Sequence, residues 1–236
     1  MTSARGPAGA APEHWREHFR RRHRQAEAEG VARSLDYSND RVRFQTYAHV
    51  LEGLGEVAGR ALLDAGCGWG TFALVLHACG ARVTAFDIVP ETIATLAERH
   101  PGIDWRVTDL CDPEQLGLLS PFDGVAATEV LQHIPFGPAV RALWAAVAPG
   151  GRLVASVPNR DCPIVARAAR VQGEHYRPVS QAEIRELAAE LGADAVHLQG
   201  LGFQDDQSFL PYAASGWGAT VPGRPNRLLF ALVKGG

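Results

Sequence analysis

The chain has 236 residues, of which 46% are hydrophobic and 21% charged, and a formal net charge of −3. That composition is ordinary for a globular protein and leaves room for one large α/β domain. It excludes a general electrostatic pull toward nucleic acid or an anionic membrane.

Met1 to Pro12 lacks the apolar stretch of a secretory signal and reads as a disordered tail over residues 1–12. Residues 13–57 read as an N-terminal helical cap and 58–236 as the main domain. In the cap, a polar, arginine-rich helix runs to about Glu29 and ends near Gly30. Asn39 or Asp40 caps a second helix. Arg16, Arg20, Arg21, Arg22 and Arg24 alternate with Glu13, Glu17, Glu27 and Glu29. This is read as a solvated face with i,i+4 ion pairs rather than an RNA-binding strip.

From residue 61 short apolar runs alternate with helical stretches. Strands are expected at Ala61–Ala65, Arg82–Phe86, Ile103–Val107, Phe122–Thr128 and Arg152–Val157. Helices are expected at Thr71–Cys79, Pro90–His100 and Gly137–Val147. This alternation builds a parallel sheet covered on both faces. A loop follows, then a helix over Ser180–Leu191 that opens on a Ser180/Glu183 capping box, and strands at Val196–Phe203 and Leu228–Val233. Residues 204–226 are long for a simple connection, which marks them as a functional loop.

No apolar run approaches the ~20 residues of a membrane-spanning helix. The four cysteines, Cys67, Cys79, Cys111 and Cys162, form no C-x-x-C pair and have no histidine ligand set. Neither a zinc site nor a disulfide scaffold is expected, and reduced thiols in a cytoplasm are.

The strongest local signal is Leu62-Leu63-Asp64-Ala65-Gly66-Cys67-Gly68-Trp69-Gly70, between a strand and a helix. Glycines there let backbone approach a ligand closely. The spacing is G-x-G-x-G, with Thr71 where a dinucleotide fingerprint has its third small residue. Asp64 stands where it can accept from a ligand ammonium group. Asp87 ends the second strand, a position from which a carboxylate accepts both ribose hydroxyls of an adenosine. Asp109 ends the third and can face an adenine amino group, with Ile88 or Leu110 against the ring. Asp87 and Asp109 also have plain readings as turn residues.

The order LDAGCGWG, AFDIVP, VTDL, FDGVAATEVLQHIP, APGGRLVASVPN resembles the class I S-adenosylmethionine (SAM)-dependent methyltransferases. Within them it resembles the small-molecule branch of ubiquinone, menaquinone and natural-product enzymes. The match is good over residues 60–160 and loose in the C-terminal third. The resemblance implies a Rossmann-like, seven-stranded, mostly parallel sheet of order 3-2-1-4-5-7-6 with its last strand antiparallel. It implies SAM as cofactor and S-adenosylhomocysteine (SAH) as product. It places Asp64, Gly66, Cys67, Gly68 and Gly70 in the cofactor loop, Asp87 at the ribose, and Asp109 at the adenine, with Ile88 or Leu110 against its ring. Thr128 and Glu129 flank the methionine part, and Tyr37 of the cap closes over the cofactor.

His133 is the candidate base, since an ordinary imidazole pKa of about 6.5 suits proton removal at neutral pH. It can equally be a pocket-shaping residue. Acceptor contacts are expected from the variable parts: Arg41, His175, Tyr176, Gln204, Tyr212 and Trp217. The function expected is methyl transfer to an oxygen or nitrogen atom of a small molecule in secondary metabolism, by a cytoplasmic monomer or homodimer without metal, nucleic acid or membrane partners. The alternative is a SAM-binding protein of the same fold that catalyses another reaction such as cyclisation. A nicotinamide oxidoreductase is disfavoured by Thr71 and the later motifs. A macromolecule modifier rests only on the arginine-rich helix.

Overall fold

The computed structural model describes residues 13–29, 37–117, 121–173, 176–202, 204–205, 208–209 and 217–236. The expected tail over 1–12 lies outside them. In chain order the elements are α1 (Glu13–Glu29), α2 (Tyr37–Leu54), β1 (Ala61–Ala65), α3 (Thr71–Ala78), β2 (Arg82–Asp87), α4 (Pro90–Arg99), β3 (Asp104–Val107), α5 (Pro113–Gly117), β4 (Phe122–Ala127), α6 (Phe136–Ala145), β5 (Val147–Pro158), α7 (Pro163–Gln172), α8 (Gln181–Glu190), β6 (Ala195–Leu201), β7 (Gln204–Asp205), β8 (Ser208–Phe209) and β9 (Arg227–Val233).

The main sheet has seven strands in the order β3-β2-β1-β4-β5-β9-β6. Counting only its own strands, this is the expected 3-2-1-4-5-7-6. All are parallel except β9, which runs antiparallel to both β5 and β6. Strand side chains alternate between the faces. Leu63, Ala65, Val125, Ala127, Leu228 and Phe230 pack with α6 and α8 on one face. Leu62, Ala126, Leu229 and Ala231 pack with α2 and α3 on the other. The order reverses between β1 and β4, so a crevice opens at their carboxyl ends, the general ligand position in such sheets.

The two helices of the expected cap do different things. α2 sends Val50 and Leu54 into the core beside β1 and β4, whereas α1 lies over the carboxyl edge of the sheet. α2 starts at Tyr37, before the expected Asn39 or Asp40 cap. The stretch after β5, expected as loop, contains α7. Pro163 sits in its first turn, and Ile164, Val165 and Val171 stand among its alanines and arginines, but only Val165 is buried. β5 begins early because Val147 pairs with Phe122 ahead of a register shift, after which Arg152 pairs with Gly124. The capping box of α8 is formed as expected: Ser180 accepts from the Glu183 amide, and the Glu183 carboxylate accepts from the Ser180 amide. Within 204–226, β7 and β8 pair as a short hairpin. Among the described residues, no helix is long and apolar enough to cross a membrane.

Candidate active site

A cavity of about 590 Å3 occupies the crevice. Its floor is the carboxyl ends of the strands and the loops that follow them. His133, Gly66, Cys67, Gly68, Asp87, Ile88, Asp109, Leu110, Thr128 and Glu129 all line it, so the sequence-derived candidates from four separate segments meet around one space.

The glycine loop divides into positions with different tasks. Gly66, Gly68 and Gly70 all have positive φ. A Cβ on Gly66 would lie 2.5 Å from the Val130 side chain, and one on Gly70 would lie 2.7 Å from the Trp105 ring. Those two glycines seat the loop against the β4 turn and the β3–α4 layer. Gly70 therefore serves packing and does not line the cavity. Around Gly68 the space is open, and its amide donates to the Asp87 carboxylate at 2.9 Å.

Three acidic groups follow the strand ends. Asp87 accepts from the Gly68 and Val89 amides. Burial raises its pKa, and the amide hydrogen bonds only partly oppose this. Asp64 lies one layer below the cavity, fully buried, on the face covered by α2 and α3. Neither of its oxygens has a partner with hydrogen-bond geometry. Burial pushes its pKa up to about 7; the neighbouring Asp87 adds to this and the Ala73 amide opposes it. Burial likewise holds the Cys67 thiol well above its ordinary range, so Cys67 is a neutral wall rather than a nucleophile. Asp109 accepts from the Cys111 amide at 2.8 Å and from the Arg16 guanidinium of α1 at 2.7 Å.

After β4 the chain turns sharply. Glu129 has φ 52 and is the only non-glycine at positive φ among the described residues. Such a conformation costs about 1–2 kcal/mol and persists only where surrounding bonds enforce it. Here the Glu129 amide donates to the Ser156 hydroxyl, which donates back to Glu129 Oε1 at 3.0 Å. Arg227 Nε donates to Glu129 Oε2 at 2.9 Å. His133 follows in a short 3-10 turn, Leu131–His133.

Helix α1 and part of α2 form the roof. The Trp15 ring lies 4.0 Å from the His133 ring and the Phe19 ring 5.5 Å from it. His23 stacks on Trp69 at 5.0 Å and bonds Thr92 Oγ1 at 3.0 Å. Arg20 reaches Glu91 at 3.6 Å. The expectation of a solvated face with i,i+4 pairs is thus corrected for Arg16 and Arg20. Both turn toward carboxylates of the sheet domain, because α1 lies across it. From α2, Tyr47 stacks on Phe72 at 5.0 Å and lines the cavity. Burial is the first cause that raises the Tyr47 hydroxyl pKa, and the Asp64 charge adds to it. Tyr47 is therefore a donor, not a base.

A family model described as a methyltransferase domain matches residues 10–198. The chain belongs to the methyltransferase domain family. The resemblance to class I SAM-dependent methyltransferases read from the motifs therefore holds. The ubiquinone biosynthesis O-methyltransferase of Xanthomonas axonopodis pv. citri is 39% identical over 128 residues, 51% of this chain and 52% of that protein. The chain thus spans about half the length of the curated relatives it matches. Among solved structures, magnesium protoporphyrin IX methyltransferase from Synechocystis, with bound SAH, superposes with TM-score 0.60 at 17% identity, covering 85% of this chain and 88% of that one. The N-methyltransferase NodS from Bradyrhizobium japonicum, also with SAH, gives 0.57 at 21%, covering 82% and 87%. At such identities these two establish the fold.

The methyltransferase domain does not bring every expected residue to the cavity. Trp217 packs beside Gly53 of α2 and Val154 of β5, in the core face under α2, so it is a packing residue there rather than part of the acceptor wall. Tyr176 also lies outside the cavity. Its hydroxyl pKa is raised by burial first, and it feels the charges of Arg227 and Glu129. Gln204 is in β7, but its side chain, like those of Tyr37 and Arg41, lies outside the described residues, as do His175 and Tyr212 entirely. Arg227, Asn226, Tyr47, Trp15, Phe19 and His23 line the cavity without having been read as site residues. Among the described residues, no group of three or more His, Cys, Asp or Glu side chains is placed to hold a metal ion.

Proposed function

We propose that this chain binds SAM in the cavity and transfers its methyl group to an oxygen or nitrogen atom of a small molecule. The observation that carries this reading is the convergence, on one crevice, of an open glycine cradle at Gly68, a strand-end carboxylate at Asp87 and, below them, the buried carboxylate of Asp64, whose oxygens have no partner within hydrogen-bond geometry. An unpaired buried polar group costs free energy unless something answers it. A ligand ammonium reaching down past the glycine loop would answer Asp64. Asp87 suits the ribose hydroxyls. Asp109, shared with Arg16, suits an exocyclic amine. SAM, when bound, supplies an already activated methyl carbon, so the protein's task is chiefly to orient the acceptor and keep water out.

In this reading Trp15 and Phe19 form the dry wall above His133, and His133 accepts the acceptor's proton. Burial keeps Tyr47 protonated, so it orients by donating. Charge and the family's relatives favour a small molecule. The curated relatives carry ubiquinone-biosynthesis names, and nothing in the cavity selects secondary metabolism. The test is incubation with methyl-labelled SAM and panels of phenols, amines and sugars. Labelled product is expected from at least one panel, and His133→Ala should lower that rate about 10²–10⁴-fold with SAH affinity nearly unchanged. SAM bound with no label transferred to any acceptor would move the reading to a non-methylating reaction.

A further inference from the structure

The topology brings one residue to the site from the far end of the chain. β9 is the antiparallel strand, so its first residues lie at the carboxyl edge of the parallel ones. Arg227 opens β9, opposite Pro158 of β5 and Leu201 of β6. The segment is pinned on both sides: the Asn226 amide donates to the Gly202 carbonyl, and the Asn159 amide donates to the Asn226 carbonyl. Its guanidinium therefore starts from a fixed base and meets Glu129 from 98 residues away.

Glu129 joins the two halves of the site. On one side Val130 covers Gly66 so closely that no Cβ fits there. On the other, Gln132 Nε2 bonds the Glu129 carbonyl at 2.8 Å, the His133 amide donates to the Val130 carbonyl at 3.1 Å, and the Arg177 amide donates to the Gln132 carbonyl at 2.9 Å. We infer that Arg227 is a positioning residue: by holding the Glu129 carboxylate it enforces the left-handed turn that seats the glycine loop on one side and presents His133 to the cavity on the other. Ser156 supplies two more of the bonds, but its hydroxyl can rotate and carries no charge. Arg227 gives the charged, directional bond. Burial opposes the Arg227 charge, but the Glu129 charge and hydrogen bond, with a contribution from Tyr176, outweigh it and raise the Arg227 pKa. Where the inference concerns cofactor binding it rests on the proposed SAM reading; the geometry of the turn does not.

The experiment is a double-mutant cycle in the full chain, using Arg227→Met, Glu129→Asn and the pair, with Arg227→Lys as the conservative variant. Asparagine tolerates a positive φ and is one methylene too short to replace the glutamate. Two quantities are read: amide hydrogen exchange across residues 128–133 without ligand, and SAH affinity by calorimetry. Arg227→Met should speed exchange across the turn about tenfold or more and weaken SAH several-fold. Arg227→Lys should recover part of both. Adding Arg227→Met to Glu129→Asn should change little further, because Arg227 acts through Glu129. Additive effects, or unchanged exchange in Arg227→Met, would overturn the inference and leave Arg227 as a ligand contact or filler. If Arg227→Met does not fold, Arg227→Gln takes its place in the same cycle. If the unmodified chain binds no SAH, the SAM reading falls, and the exchange arm still decides the role of Arg227.

Discussion

The floor and the roof of the cavity are held by different kinds of bond. On the floor, carboxylates sit at strand ends and are fixed by backbone amides: Asp87 by Gly68 and Val89, Asp109 by Cys111. Those amides belong to the sheet and its turns, so they move only if the domain opens. The part of the roof that α1 supplies is tied down by side chains: Arg16 on Asp109, His23 on Thr92, and Trp15 and Phe19 on His133. Arg16 is about a third exposed although its partner Asp109 is buried, so water screens the ion pair from the Arg16 side. A floor built by backbone and a roof built by side chains is what a site needs if it must hold one ligand in a fixed pose and still admit another.

The comparison breaks first at Asp87. If the floor carries cofactor affinity, Asp87→Ala removes the acceptor for two ligand hydroxyls and should weaken SAH by about 100-fold or more, since hydrogen bonds to charged groups contribute ~1.5–3 kcal/mol each. Equal affinity in calorimetry would take Asp87 out of the ribose site.

The next effect belongs to Asp64. Its folded pKa of about 7 lies above the ordinary 3.8, so the empty native state holds a proton that the unfolded chain releases. Stability should therefore fall as pH rises from about 4 to 7 and level off above that. Ligand affinity runs the other way. If the ionised carboxylate receives the ligand ammonium, SAH affinity should rise about tenfold between pH 6 and 8, and Asp64→Asn should flatten that dependence. A profile that is equally steep in both proteins would place the titrating group elsewhere.

The roof should give the smallest change. Arg16→Ala should alter SAH affinity by less than about fivefold while accelerating amide exchange along α1. A loss as large as that of Asp87→Ala would erase the distinction between floor and roof.

The same division explains what the sequence revealed. Each floor group lies within one short segment whose pattern is local: a strand, a glycine turn, an acid at the next strand's end. Leu62 to Gly70 and Asp87 could be placed from spacing alone, and the strand order followed from the family those motifs resemble. The roof and the Glu129 clamp depend on pairs distant in sequence. Arg16 and Asp109 are 93 residues apart, and nothing local distinguishes Arg16 from Arg21 or Arg24. Trp217 shows the converse. An aromatic in a polar loop suggested a pocket wall, yet it fills the notch above Gly53, where only a residue without a side chain leaves room. Gly70 was found by its motif, but its reason, the Trp105 ring, becomes visible only once β3 packs against the loop.

The most direct test of the account is calorimetric titration of the full chain with SAH at neutral pH, beside Asp87→Ala as control. The account predicts one-to-one micromolar binding that Asp87→Ala abolishes or shifts far to the weak side. Absence of binding by the unmodified chain, or identical binding by both proteins, would contradict it: the first would leave the cavity without its cofactor, the second would put that cofactor somewhere other than the strand-end carboxylates.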